Sequence, residues 1–313
     1  MEKAYHSDSI RMKIIVSLIH MKKKHAIMLL LLTSLIWGLA FVAQSAAADD
    51  IGSFTFNGIR FLIGAMVLLP IAVKSLRKSI SDHQYLRNLL IGSLVCGVFL
   101  SAASMLQQQG IKEGTGSGKA GFITSLYMLF VPLLSMLNGK RISRRTWLCI
   151  LAGVLGAYLL SADESGKAAI KGDMLVLASA LLFAMHILSV ERFGRKLNGI
   201  ELSCGQYAIA GIICSAGMIL FEPPDISSIL SAWTGILYAG IFSCGVAYTL
   251  QVIAQKHVDA APATLALSLE SVWALIGGAL ILGERMSAEE ITGCIILFCA
   301  VVISQLSSES DGS

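Results

Sequence analysis

Glu270 sits in "TLALSLESVWALIGGALILGE", a run from Thr264 to Glu284 in which one internal carboxylate is surrounded by Leu, Ala, Val, Trp and Gly. A charge in such a run is costly unless a proton, a partner or water neutralises it. Two roles fit. Glu270 binds a cationic or zwitterionic group or takes up a proton, or it serves as a hydrogen-bond partner that fixes helix packing, with Tyr127 or Gln251 as candidates. Arg60, in "GIRFLIG", is the other charge inside an apolar run. It forms an ion pair with Glu270 or a solute carboxylate, or it carries its guanidinium to the interface or to loop carbonyls. His186 relays protons or packs as a neutral ring. Trp37 and Trp273 lie deep in their runs and stack on a solute, gate a cavity, or simply pack.

Other polar residues recur at helical spacing within apolar blocks. Ser101, Ser104 and Gln108 follow i, i+3, i+7, as do Tyr248, Gln251 and Gln255. Thr124 with Tyr127, Ser179 with Phe183 and His186, and Thr33 with Trp37 and Gln44 each fall on one helix face. Polar residues in hydrocarbon face protein or a water-filled cavity. These faces therefore point inward, and the expected lining is Trp37, Gln44, Ser104, Gln108, Thr124, Tyr127, His186, Tyr248, Gln251, Glu270 and Trp273.

Two other chemistries fail on spacing. "GTGSGKA" (114–120) imitates a phosphate loop, but that pattern needs Gly at 113 and Ser or Thr at 120. The residues there are Glu113 and Ala120. The seven cysteines contain no C-x-x-C and lie inside apolar blocks, which signals neither a zinc site nor a disulfide framework. No metal, cofactor or nucleic-acid partner is expected.

The elements that must position these residues are membrane helices. The 313 residues are 55% hydrophobic and 14% charged, against about 25% charged in soluble domains. Ten apolar blocks approach the ~20 residues that span hydrocarbon: approximately 26–47, 54–73, 88–110, 119–137, 146–161, 172–190, 203–221, 231–253, 261–282 and 287–306. The fold class is thus all-α membrane protein. The fifth and tenth blocks carry few polar groups and belong at the periphery. Pro132 should kink the fourth.

With the N-terminus cytoplasmic, 18 Lys and Arg fall in inner segments, 5 in outer loops, and Arg60 in a span, which accounts for all 24. This follows the positive-inside rule and puts both termini, tails 1–25 and 307–313, in the cytoplasm. "IIVSLI" near the start is too short to span, and Met1 and Met21 are both possible starts. A shift of about 144–146 residues places Gln107 on Gln251, Lys112 on Lys256, Arg60 on Gln206 and "NGKRIS" on "LGERMS". Five blocks (26–161) are followed by five (172–306). An odd number of spans inverts the second copy, so the ten helices form two inverted five-helix repeats.

"SLIWGLAFVAQ", "NGIRFLIGAMVLLP", "TSLYMLFVPLLS" and "LESVWALIGGALILGERMS" resemble the drug/metabolite transporter superfamily, EamA-type permeases, from about residue 26 to 306. Ala40 stands where the first span often carries Asn or Ser, and Ser271 where many relatives carry Pro. The resemblance implies a ten-helix fold with a central cavity that moves small metabolites, often outward. The expectation is a secondary transporter of small polar molecules (amino acids, amines or related compounds) in the cytoplasmic membrane, driven by protons if Glu270 titrates and solvated by lipid. A membrane-embedded enzyme and a non-transporting sensor or scaffold are the alternatives. The first lacks any H-E-x-x-H or similar ligand spacing, and the second lacks a soluble output domain.

Overall fold

The computed structural model describes residues 23–137, 139–160, 170–222, 225–282 and 287–310. The expectations for the first 22 residues, Lys167, Glu284, Arg285 and residues 311–313 lie outside the described residues. Eight helical segments among them are long and apolar enough to cross a membrane. The helices are α1 (Lys23–Ala48), α2 (Ser53–Leu76), α3 (His83–Lys112), α4 (Ser117–Ser125), α5 (Tyr127–Leu137), α6 (Arg144–Leu160) and α7 (Ile170–Gly194). They continue as α8 (Gly199–Phe221), α9 (Ile226–Ser231), α10 (Trp233–Leu237), α11 (Thr249–Ala254), α12 (Ala260–Leu267), α13 (Glu270–Gly277) and α14 (Ala288–Ser310). α6 has 17 residues, and within α14 the apolar helical stretch is Ile291–Ser304. Both fall short of the length of the other eight.

Chain chemistry sets the helix starts. Asp82 caps α3 by accepting from Tyr85 N at 2.9 Å. Asn198 caps α8 by accepting from Ile200 N and Glu201 N. α2 begins after Gly52, which has no capping side chain of its own. Glu222 supplies the missing acceptor from the far end of α8: its Oε2 accepts from Thr55 N at 2.9 Å and Thr55 Oγ1 at 3.1 Å. A carboxylate at a helix N-terminus also meets the positive end of the dipole.

Three spans are interrupted. α4 and α5 meet at a tightened turn, where Leu126 N reaches Ile123 O at 3.2 Å. The turn lies before Pro132, which sits inside α5, so the interruption is not at the expected proline. α12 and α13 meet at a similar turn, where Ser271 N reaches Ser268 O. Between α10 and α11, Tyr238–Tyr248 form a π-helix, the wider coil that often marks functional positions.

Contacts between elements occur in matched pairs. α1 packs on the π-helix, α11 and α13, while α7 packs on α3, α4 and α5. α2 packs on the π-helix, and α8 on α3. α2 meets α8, α6 meets α14, α4 meets α13 and α5 meets α12. Lipid supplies no hydrophobic drive to bring helices together, so close packing and polar bridges must hold them. Thr33 Oγ1 donates to Ala247 O at 3.1 Å, Tyr238 Oη to Ile36 O at 3.0 Å and Gln108 Nε2 to Gln44 O at 3.2 Å. Such bridges average about 0.6 kcal/mol each. Gly38 permits backbone contact between α1 and α13: a Cβ there would lie 2.3 Å from Trp273 Cβ and 2.6 Å from Glu270 O.

Candidate functional site

A cavity lies where the interrupted helices meet. α1 contributes Trp37, Ala40, Phe41 and Gln44, α2 contributes Arg60, and α3 contributes Gln107. Thr124 of α4 and Tyr127 of α5 flank the first interruption. Phe183, His186 and Ile187 come from α7, Ser243 and Tyr248 from the π-helix, Gln251 from α11, and Glu270 from α13. Among the described residues, none of α6 or α14 reaches it. The space open to water centres is about 30 Å³, room for about two waters.

The helix breaks place the central pair. Glu270 is the first residue of α13 and Tyr127 the first of α5. Each opens the second half of its span, and the breaks touch at Ser125 Oγ and Ser268 O, 3.4 Å apart. Glu270, 2% exposed, therefore lies in the first turn of a half-helix, where the dipole favours negative charge. Its carboxyl faces the Tyr127 hydroxyl. No hydrogen bond of good geometry joins them, because Tyr127 Oη and Glu270 Oε1 both lack a protein partner. Gln251, the other candidate partner, has neither Nε2 nor Oε1 bonded to protein.

Arg60 is 2% exposed and lines the cavity. It does not reach the interface. Asn57 Oδ1 accepts from its Nε at 2.9 Å, and its Cζ lies 5.5 Å and 4.9 Å from the ring centroids of Phe56 and Phe61. Asn57 is itself anchored by donating to Ser53 O at 2.8 Å and Ser104 O at 3.3 Å. Among the described residues no carboxylate lies within ion-pair distance of Arg60. The pair with Glu270 is therefore not formed, because the rings and Asn57 hold the guanidinium on its own wall.

His186 Nε2 shares a hydrogen bond with Gln206 Oε1 at 2.9 Å, and its Nδ1 lacks a protein partner. Its ring meets Tyr248 edge-on at 5.9 Å. Trp37 also packs on Tyr248, with centroids 4.4 Å apart and the rings tilted, and its Nε1 is unbonded. Ser104, Gln108 and Trp273 do not line the cavity. Ser104 is buried with an unbonded Oγ, Gln108 bridges to Gln44 O, and Trp273 covers Gly38. Buried polar atoms usually have partners. Here seven unbonded ones lie on the cavity wall: Trp37 Nε1, Gln44 Oε1, Tyr127 Oη, His186 Nδ1, both side-chain atoms of Gln251 and Glu270 Oε1.

Helical spacing missed Gln107 and Ser243. Gln107 neighbours the chosen Gln108, and its alignment with Gln251 was the available signal. Ser243 lies five residues before Tyr248. In an α-helix that offset separates the two faces, whereas the wider π coil turns both side chains to the cavity.

The EamA-like transporter family matches residues 24–162 and again 170–306. An uncharacterized transporter of Archaeoglobus fulgidus is 28% identical over 286 residues, covering 91% of this chain and 87% of the relative. The uncharacterized transporter YoaV of Bacillus subtilis is 26% identical, covering 87% and 93%. The uncharacterized inner membrane transporter YedA of Escherichia coli is 22% identical, covering 87% and 88%. A crystal structure 18% identical in sequence superposes with a TM-score of 0.74 over 93% of this chain and 99% of the other. The all-helical fold with its membrane-spanning segments and the cavity define a multi-pass membrane transporter. The chain belongs to the EamA-like transporter family of the drug/metabolite transporter superfamily.

Proposed function

We propose that the protein carries a small polar metabolite, an amino acid, amine or related compound, outward across the cytoplasmic membrane by alternating access. The name of YedA supports an inner-membrane location. The observation that carries the proposal is a cavity holding one carboxyl and one guanidinium, Glu270 and Arg60, that are not paired with each other. Two opposite charges on separate walls suit a zwitterion. Arg60 takes a carboxylate through its planar fork, Glu270 takes an ammonium, and Trp37 and Tyr248 offer aromatic faces. Without a solute, Glu270 takes a proton, because a bare carboxylate there is costly. Proton and cation thus compete for one group, which couples transport to the proton gradient.

The architecture we propose is ten spans in two inverted five-helix repeats, 26–161 and 172–306, with both termini cytoplasmic. Two family matches of similar length support it. So do the matched contacts, each of which maps onto its counterpart, or onto itself, when the first and second sets of five spans are exchanged. Two lysine clamps support it further. Lys112 Nζ, after the third span, donates to Ile51 O at 3.1 Å; Lys256 Nζ, after the eighth, donates to Leu197 O at 2.5 Å. Partners and lysines are offset by nearly the same number of residues, and inversion puts the clamps on opposite membrane faces. A cavity with room for about two waters requires the α1, α12 and α13 side to part from the α3, α4 and α7 side before a solute enters.

The test is uptake by purified protein in liposomes, with labelled amino acids and amines and an imposed pH gradient. Saturable, gradient-dependent uptake that Arg60→Gln weakens for amino acids and not for amines is the expected result. Absence of transport across the panel overturns the proposal.

A further inference from the structure

Away from the cavity, a groove of about 340 Å³ runs between α5 and α7 near their C-terminal ends. Its walls are Leu134, Leu137, Met185 and Leu188, with Ser189 and Arg192 at one end. The Ser189 hydroxyl is already spent on Met185 O at 2.8 Å, so the slot itself makes no polar demand. The arginine does. Around the end of α7, Arg195 is engaged with Glu191 and Asp259, and Lys140 with Glu191. Arg192 has no ion-pair partner among the described residues and lies exposed, 6.0 Å from the Phe193 ring centroid. The groove is thus an apolar slot that ends at an unmatched guanidinium, on the side that the Lys and Arg bias assigns to the cytoplasm.

We infer that this groove is a binding site for an anionic phospholipid of the inner leaflet, with an acyl chain between α5 and α7 and the phosphate on Arg192. Basic pockets between membrane helices on the cytoplasmic side select anionic headgroups, and a guanidinium offers a phosphate two parallel donors. A soluble anion would use only the arginine and leave the slot unfilled. A zwitterionic lipid would fill the slot, but its own cation would stand against the arginine. The walls belong to the two helices that bring Tyr127 and His186 to the cavity, so a lipid here braces the wall of the transport site.

The test is the melting temperature of the detergent-purified full chain, titrated with phosphatidylglycerol, phosphatidylcholine or inorganic phosphate. Lys196→Gln is the control, since Lys196 is an exposed cation at the same helix end that does not line the groove. The expected result is a shift of several degrees with phosphatidylglycerol that exceeds the phosphatidylcholine shift. That excess is lost in Arg192→Gln and in Leu188→Trp, which fills the slot, and is kept in Lys196→Gln. The inference falls if Arg192→Gln keeps the excess, if Lys196→Gln loses it equally, or if inorganic phosphate reproduces it.

Discussion

Glu270 separates a transport role from a packing role by its protonation chemistry. Its Oε1 has no protein partner, so little packing depends on the carboxylate form. Glu270→Gln keeps the shape and removes titration. The expected outcome is normal yield and thermal stability with gradient-driven uptake reduced at least ~10-fold, about 1.4 kcal/mol in transition-state terms. Normal pH-dependent uptake by this variant would sink the functional role, and Glu270→Leu would then be expected to lose folded protein instead. Asn57 is a positioning residue for Arg60. It holds Nε at 2.9 Å while being pinned to Ser53 O and Ser104 O. Asn57→Ala frees the guanidinium to swing. The expected result is a KM for amino acids raised roughly tenfold with kcat little changed and amines unaffected, the pattern of lost ground-state binding. An equal loss for amines would make Asn57 merely structural.

At the scale of elements, residues that act through hydrophobicity and spacing were legible in the sequence, and those that depend on helix irregularity were not. The bounds of the eight long apolar helical segments followed from apolar length, and Glu270, Tyr127 and Gln251 from polarity inside those lengths. The π-helix at Tyr238–Tyr248 has no such signature, so Ser243 was invisible. The breaks before Tyr127 and Glu270 also left no trace, because Leu126 and Leu269 are ordinary helix formers and only the crossing of α4–α5 with α12–α13 rewards the tightened turns. Glu191 shows another effect that spacing does not reveal. This buried residue of α7 accepts from Lys140 Nζ at 2.6 Å, Arg195 Nη2 at 3.1 Å and Ala260 N at 3.3 Å. It thereby ties α7 to the start of α12, across the line along which the proposed alternating access parts the two sides. Both cations are about half exposed, so the latch is worth only about 1–2 kcal/mol. Glu191→Gln should leave the fold intact and raise thiol labelling of a Gln251→Cys reporter from the cytoplasmic side. Unchanged labelling would show that the network does not restrain opening. α1 and α13 are joined more rigidly at Gly38, where a Cβ has no room. Gly38→Val should cut the yield of folded protein, since overpacking costs about 1–3 kcal/mol or more.

For the whole molecule, the proposed inverted arrangement makes a demand that no single helix makes: a change at one membrane face must have a counterpart of opposite sense at the other. The lysine clamps are the place to test it. Lys112 ties the end of α3 to the loop between α1 and α2, and Lys256 ties the end of α11 to the loop between α7 and α8. Each ammonium donates to one carbonyl, so Met keeps the apolar stem and removes the donor together with its charge. Lys256 is also partly buried, which holds its ammonium below the usual lysine value. Its charge is therefore lost at a lower pH than that of a free lysine, and the clamp weakens as pH rises toward that point. A Gln44→Cys reporter on the cavity wall, in a Cys299→Ser background because Cys299 is exposed, reads opening when an impermeant maleimide is applied to one face of oriented vesicles. Lys112→Met should raise labelling from the extracytoplasmic face alone, and Lys256→Met from the cytoplasmic face alone. Raising the pH should mimic the second substitution and add nothing once it is made. If both substitutions open the same face, the two clamps do not lie on opposite sides, and the inverted arrangement is wrong. If neither opens any face, the clamps brace loops only, and opening is set by the crossing of the interrupted helices around Ser125 and Ser268.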